Sequence, residues 1–328
     1  PLIVGEPAVK LGLKVLTETR NVGLRALIRA SGLEFKRITA GRVGFVLAPR
    51  LNAVGRLGHA LRGVELLTTD DEHQANALAR EFEEMNRRRQ EIDRETLSRA
   101  SRHVDAMDLD SAYGIVIAEQ GWHPGVVGIV ASRLLEELCR PVILIALDGA
   151  TGRGSGRSIG AFDLHGGLAA GREHLLRFGG HRMAAGISIE TARVDAFRER
   201  FEEVARERLT ADDLVPDLRV ELEIDLADAT EDLETLLRHF EPFGSGNASP
   251  VLVTRGVRVI GAPRIVGQGH LKLRLATGAA ELDAIGWGMA GRAPELAADA
   301  HVDVAYRLER DTYNGVARLQ ARLADFRS

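Results

Sequence analysis

The sequence has 328 residues, 45% of them hydrophobic and 27% charged, with a formal net charge of −4. That balance suits a soluble globular protein of two or three domains with real cores, and the net charge argues against wholesale coating of nucleic acid. A single cysteine, Cys139, excludes an internal disulfide framework and suits a reducing cytoplasm; with no apolar run long enough for a bilayer and no secretory apolar core, membrane contact is not expected.

Charge is uneven along the chain. Ten basic residues and three acids fall between Pro1 and Ala60, the usual footprint of a phosphate backbone. The opening "PLIVGEPAVKLGLKVL" starts in mid-pattern and reads as a piece of a longer polypeptide. Residues 6–60 read as short helices and turns, with "APRLNAVGR" (48–56) on loop-like backbone after a short apolar strand. From Asp70 to about Ala106 one long helix is expected, with Thr69 or Asp70 as N-cap and a narrow stripe through Leu78, Phe82, Met85, Ile92 and Leu97. Its charged remainder reads as a solvated face, and the helix as a bridge between domains.

An α/β unit follows. "YGIVIAE" (113–119) and "RPVILIALD" (140–148) read as strands around a helix at 125–139. "GATGRGSGRSIG" (149–160) reads as a Gly-rich loop, 163–176 as a helix, "AAGISIE" (184–190) as a third strand and 191–209 as an amphipathic helix. That alternation marks a mostly parallel or mixed sheet with crossover helices. From Pro250 onward, five short strand-like runs, "VLVTRGVRVIG", "LKLRLAT", "ELDAIGWG", "VDVAYRLER" and "GVARLQARLAD", are separated by turn residues. They suit a small OB-type barrel, with a sandwich as the alternative. The fold class expected is thus α/β plus all-β.

Three stretches could carry chemistry. In "GRGSGRS" (152–158) the glycines free backbone N–H groups for an anion nest, Arg153 and Arg157 offer planar forks, and Ser155 and Ser158 add hydroxyls. The plainer reading is a flexible loop with solvated arginines. In "APRLNAVGR" the donors are Arg50, Asn52 and Arg56, or the stretch is a domain-junction turn. In "FGGHRMAAG" (178–186) Gly179 and Gly180 let the chain approach something closely beside His181, or form a tight turn with a surface histidine. "GWHP" (121–124) places His123 near the same mouth, or makes it a helix-entry residue among packing from Trp122 and Pro124. The four histidines of this domain lack metal-ligand spacing, and no HExxH or CxxC occurs, so no metal site is expected within the chain.

Taken together, "GWHPGVVGIVASRLLEELCRPVILIA", "GSGRSI", "FGGHRMAAG" and "PFGSGNASP" resemble, in order, the RecJ family of single-strand-specific exonucleases within the DHH phosphoesterase superfamily. "APRLNAVGRLGHALRGVELLTTDD" and the tail "GVARLQARLADF" extend the resemblance over essentially the whole chain. No "DHH" occurs, so the chain resembles RecJ with the catalytic metal domain cut away, the Mn²⁺ or Mg²⁺ being expected in that missing domain. The resemblance implies the tail of the DHH domain and a junction over 1–69, a long connecting helix over 70–110, a DHH-associated α/β domain with a mixed sheet over 111–210 and an OB-like β-barrel over 211–328.

The resemblance also implies roles. Gly179 and Gly180 permit close approach, and His181 contacts the scissile phosphate or its neighbour. Ser155 and Arg157 anchor a 5′-terminal phosphate and so set 5′→3′ polarity. Asn52 and Arg56 line the entry for one strand. The barrel holds more strand by charge, with only Trp287, Tyr306, Tyr313 and Phe243 available for stacking. The implied partner is single-stranded DNA, in repair and recombination, with replication proteins such as a single-strand-binding protein and a helicase. The expected activity of this chain is binding without hydrolysis. The alternatives are a non-catalytic RecJ-like scaffold and a DHH phosphodiesterase of short RNA or cyclic dinucleotides.

Overall fold

The computed structural model describes residues 2–244, 246–311 and 317–327, with the side chains of residues 2–7 excepted. Tyr313 therefore lies outside the described residues. The chain forms two compact units, one of residues 19–37 and 42–217, the other of residues 1–18, 38–41 and 218–328. No helix among the described residues is long and apolar enough to cross a membrane.

The first unit opens with helices α1 (Val22–Ala30), α2 (Ala48–Leu57) and α3 (Leu61–Thr68), followed by the long α4 (Glu72–Asp105). The segment 48–56, expected to be loop-like after a strand, is helical throughout, because a wide π-turn over Val43–Leu47 runs directly into Pro49 at the start of α2. Helix α4 is capped by Asp71, one residue beyond the expected positions, whose Oδ1 accepts from the N–H of His73 and of Gln74 at 2.7 and 3.2 Å. Its outer face is solvated as expected, with Glu84, Arg87, Arg88, Glu91, Arg94 and Glu95 exposed. Its inner side buries Leu78, Phe82 and Ala100, and with them the polar Asn86, Asp93 and Thr96. Asp93 is 1% exposed and meets Arg133 at 2.9 Å, so part of the charge run lies inside the packing.

The α/β part holds β1 (Ile115–Gln120), α5 (Val127–Leu138), β2 (Val142–Asp148), β3 (Thr151–Arg157), α6 (Leu164–Ala170), β4 (Leu175–Gly180), β5 (Ala184–Glu190) and α7 (Val194–Arg208). The strand order is β1-β2-β3-β5-β4, with β1 and β2 parallel and the other neighbours antiparallel. Helix α5 and the end of α4 cover one face through Ile115, Ile117, Val142 and Leu144. Helices α6 and α7 cover the other through Val116, Ile143, Ile145 and Ile187.

Two expectations fail in this sheet. The Gly-rich 152–158 is a central strand, and the expected helix 163–176 stops at Ala170, leaving Leu175–Gly180 as strand β4. In β3 the glycines sit where a β-carbon would collide with core side chains: Ile145 and Leu147 at Gly152, Ile187 and Ile145 at Gly154, Leu164 and Ile143 at Gly156. They permit tight packing of the sheet on its helices, not a mobile nest. The stretch around His181 is accordingly a β-hairpin between β4 and β5, closed by the His181 N–H donating to the Ala184 carbonyl at 2.8 Å.

The second unit contains the helix Leu2–Thr17, the short β6 (Leu222–Glu223) and α8 (Glu231–Leu237), then β7 (Leu252–Val259), β8 (Arg264–Val266), β9 (His270–Thr277), β10 (Ala280–Gly286), β11 (His301–Asp311) and β12 (Arg318–Arg327). The ladder β7-β11-β12-β10-β9 closes because β9 also pairs with β7, and β10 runs parallel to β12. This is an OB-type barrel filled by Val257, Val259, Leu271, Leu275, Val302 and Tyr306. Tyr306 is fully buried and shares a 2.9 Å hydrogen bond with Thr254, so it is core and is not available for stacking on bases. Burial pushes its phenol above the ordinary range. Trp287 is half exposed, with the His270 ring 4.5 Å away.

Candidate nucleic-acid site

Strand β3 alternates strictly. While its glycines face α6 and α7, Arg153, Ser155 and Arg157 project onto the face shared with Ala146, Leu144 and Val142 of β2. Helix α5 covers that face only as far as β3. Gly128, in its first turn, is the point of contact, for a β-carbon there would lie 2.8 Å from Ser155 Oγ and 3.0 Å from Arg157 Nη2. Arg157 is half-buried beneath this turn. Its Nε donates to Ser132 Oγ at 3.1 Å, and its Nη1 to Ser155 Oγ at 3.0 Å and to the Gly156 carbonyl at 2.7 Å. Burial, and then the nearby positive charge of Arg56, push its pKa down, the signature of a guanidinium held with no counter-charge.

Beyond α5 the same face is open over β4 and β5. Register places Ser155 beside Gly186, and Gly186 beside Gly179, with Arg153, Ser188 and Arg177 in the neighbouring row. A β-carbon on Gly179 would meet nothing within 4 Å and one on Gly186 only a carbonyl at 3.9 Å, so these glycines leave a bare floor and not a packed one. The result is a groove of about 610 Å³, lined by Gly179, Gly186, Arg153, Arg177, Arg56 and His123 among others. Arg56 reaches it from α2 and is held by its Nη1 donating to the Gly125 carbonyl at 2.9 Å. Among the described residues none of Arg56, Arg153, Arg157 and Arg177 is ion-paired. Four unneutralised guanidinium groups beside the start of α5, where helix N–H groups also add positive potential, make a site for an anion.

The remaining sequence candidates fall into place around it. Asn52 lies one turn before Arg56 on α2 and is exposed. Arg50 points elsewhere, its Nη2 donating to Glu83 of α4 at 3.1 Å, and its side chain is 14% exposed. Ser158 is buried, with its hydroxyl donating to the Phe162 carbonyl at 2.8 Å, which closes the turn after β3. His181 is exposed at the hairpin, outside the groove lining. Gly180 has a φ of +148° and a β-carbon there would strike the Ala184 carbonyl, so the turn requires glycine. The basic segment 1–60 is not one surface: it is divided between the two units, and Arg25, Arg29 and Arg50 are paired with acids. Arg177 and Gly186 escape the sequence reading. The alternation "GRGSGR" is the signal for β3, but Arg177 stays hidden as long as β4 is read as the end of a helix.

Comparison with known proteins follows this geometry closely. Residues 111–207 match the DHHA1 domain family and residues 220–325 the RecJ OB domain family. A DHHA1 α/β domain joined to an OB barrel of the RecJ type defines the class. Over almost its whole length the chain is similar to part of the RecJ proteins. It is 35% identical over 322 residues to the single-stranded-DNA-specific exonuclease RecJ of Bacillus subtilis, covering 96% of this chain and 40% of that protein. It is 34% identical to the protein of that name from Thermus thermophilus, covering 97% of this chain and 44% of the relative. The crystal structure of Thermus thermophilus RecJ in complex with Mg²⁺ superposes with a TM-score of 0.82 at 33% identity, over 97% of this chain and 48% of that one. The chain thus spans about half the length of the curated relatives it matches.

Solved RecJ structures carry Mg²⁺ or Mn²⁺. Among the described residues of this chain no group of three or more His, Cys, Asp or Glu side chains is placed to hold such an ion. The described residues do not form a site for such a metal.

Proposed function

We propose that this chain is the substrate-holding portion of a RecJ-type 5′→3′ exonuclease of single-stranded DNA, and that the groove takes the 5′-terminal phosphate. The observation that carries the reading is the convergence of Arg56, Arg153 and Arg177, none with a carboxylate partner, on a bare, glycine-floored groove. Arg153, Arg177 and Arg56 supply planar N–H pairs to the phosphate from the rim. Arg157 and Ser155 stand behind them under α5, adding charge and a hydroxyl. Asn52, one turn from Arg56, borders the entry of the strand. His181, presented by the Gly179–Gly180 hairpin, meets the scissile phosphate or its neighbour and stabilises charge there. Bond breaking, with the divalent metal that relatives carry, belongs in this reading to the half of the longer proteins outside the match.

Paired oligothymidylates with a 5′-phosphate or a 5′-hydroxyl test the reading by fluorescence anisotropy. The phosphorylated strand binds more tightly, by about tenfold for one charge-assisted bidentate contact in a half-open site. Changing Arg153→Ala and Arg177→Ala together removes that preference. Arg264→Ala, on the barrel, weakens both strands alike. Equal binding of the two strands by the unaltered chain overturns the reading.

A further inference from the structure

His123 lines the groove but has no part in the reading above. It stands just before α5 with its ring against Gly125. The Gly125 N–H donates to His123 Nδ1 at 3.0 Å. A backbone N–H can only donate, so Nδ1 must present a lone pair, and the ring proton of the neutral imidazole sits on Nε2. The contact is built in. A β-carbon on Gly125 would lie 3.1 Å from both Nδ1 and Cε1 of His123, and 2.5 Å from the carbonyl oxygen of Arg56. The same glycine accepts from Arg56 Nη1 through its own carbonyl at 2.9 Å. One residue thus fixes the ring's tautomer and the neighbouring guanidinium together. Among the described residues no group accepts a hydrogen bond from Nε2.

We infer that His123 is a further binding residue of the phosphate site, donating a hydrogen bond from Nε2–H to an anionic oxygen held beside Arg56. The inference rests on the phosphate reading of the groove. Its chemistry is distinct from that of the arginines. They supply permanent charge, while a neutral imidazole supplies one directed donor whose aim is set by the Nδ1 contact. Directed donors select the tetrahedral oxygen array of a phosphate over the mere presence of negative charge.

Two substitutions separate this role from a purely structural one. His123→Asn keeps an acceptor at the Nδ1 position, because an Asn oxygen receives the N–H two residues on in an ordinary Asx turn. It removes the donor at Nε2. His123→Gln extends an amide N–H to the Nε2 position and gives up the turn. If His123 serves only the turn, His123→Asn behaves as wild type. If it donates to the ligand, His123→Asn melts at the wild-type temperature and binds the 5′-phosphorylated strand on the order of tenfold more weakly, with the 5′-hydroxyl strand unchanged. His123→Gln then recovers part of the loss. A full 5′-phosphate preference in His123→Asn overturns the inference and leaves the phosphate reading standing. Absence of any preference in the unaltered chain overturns that reading first. Long-range ¹H–¹⁵N spectra of the unaltered chain give a second check: the His123 ring is expected as the Nε2–H tautomer, and an Nδ1–H tautomer overturns the inference without any variant.

Discussion

Gly128 of α5 and Ser155 of β3 touch so closely that a β-carbon on the glycine would lie 2.8 Å from the serine hydroxyl oxygen. The same β-carbon would lie 3.0 Å from Arg157 Nη2. Glycine in a helix costs up to about 1 kcal/mol against alanine in the interior, and less in the first turn where Gly128 sits. Its presence here is explained by the space it leaves for the two polar side chains beneath it. Gly128→Ala therefore strengthens α5 as a helix while displacing Ser155 and Arg157. The expected outcome is a melting temperature at or above wild type together with a reduced preference for 5′-phosphorylated strands. A destabilised variant with intact preference would instead make the glycine a packing requirement alone.

Much of the fold is legible in the sequence. The five barrel runs and the β1-α5-β2 unit carry a clear apolar period, the long helix a sparser one broken by Asn86, Asp93 and Thr96, and each forms close to its expected place. What is lost has a common cause. Gly152, Gly154 and Gly156 suggest conformational freedom, whereas their alternation with Arg153, Ser155 and Arg157 is the period of a strand. Nothing local distinguishes a glycine that opens a loop from one that lets Ile145 and Ile187 pack. That distinction comes from the neighbouring strands. Arg56, Arg153 and Arg177 are far apart in sequence, so their convergence on the groove is a product of sheet register and of Arg56 reaching the Gly125 carbonyl. Arg50 and Ser158 have the right chemistry, but Glu83 and the Phe162 carbonyl already engage them.

Binding of single strands by this chain is expected to be steeply salt-dependent. Each phosphate neutralised on a single strand contributes a slope of about −0.7 in log K against log salt, so the terminal phosphate with two or three more along the strand gives roughly −2 to −3. Arg25, Arg29 and Arg50 of the first 60 residues are already paired with acids, which keeps the slope from climbing higher. Anisotropy titrations between low and physiological salt check this; a flat response is incompatible with a phosphate track.

Acid should unfasten one edge of the barrel. Asp303 of β11 accepts from the Gly256 N–H at 3.0 Å and from Arg327 at 3.0 Å, and these contacts, the backbone one foremost, hold its carboxyl below the usual aspartate range. A pKa depressed on folding means that the contribution is present at neutral pH and is lost as pH falls through the lowered folded value. Asp303→Asn should thus melt below wild type at neutral pH, and the two curves should converge under strongly acidic conditions. A gap that stays constant down to that range would show that the carboxylate charge is not what holds the edge.

Arg157 is the most demanding test of how the site works, because it lies behind the groove and not on its rim. Its Nε and Nη1 are committed to Ser132, Ser155 and the Gly156 carbonyl, while Nη2 makes no hydrogen bond among the described residues. Half-buried and without a carboxylate, it keeps a positive charge under α5 at a desolvation cost that an arriving phosphate would offset. Arg157→Ala removes the charge and also strands the Ser132 and Ser155 hydroxyls. The 5′-phosphate preference should fall to near unity, while binding of a 5′-hydroxyl strand stays close to wild type. Arg157→Lys returns the charge without the fork, and the Nζ cannot reach Ser132, Ser155 and the ligand at once. It should recover only part of the preference, the deficit reflecting the fork that holds Ser132 and Ser155 while Nη2 faces the ligand. Competition anisotropy with the two strands measures both variants on one scale. If Arg157→Ala keeps the wild-type preference, the phosphate is read by Arg56, Arg153 and Arg177 alone, and Arg157 is a packing arginine that ties β3 to α5.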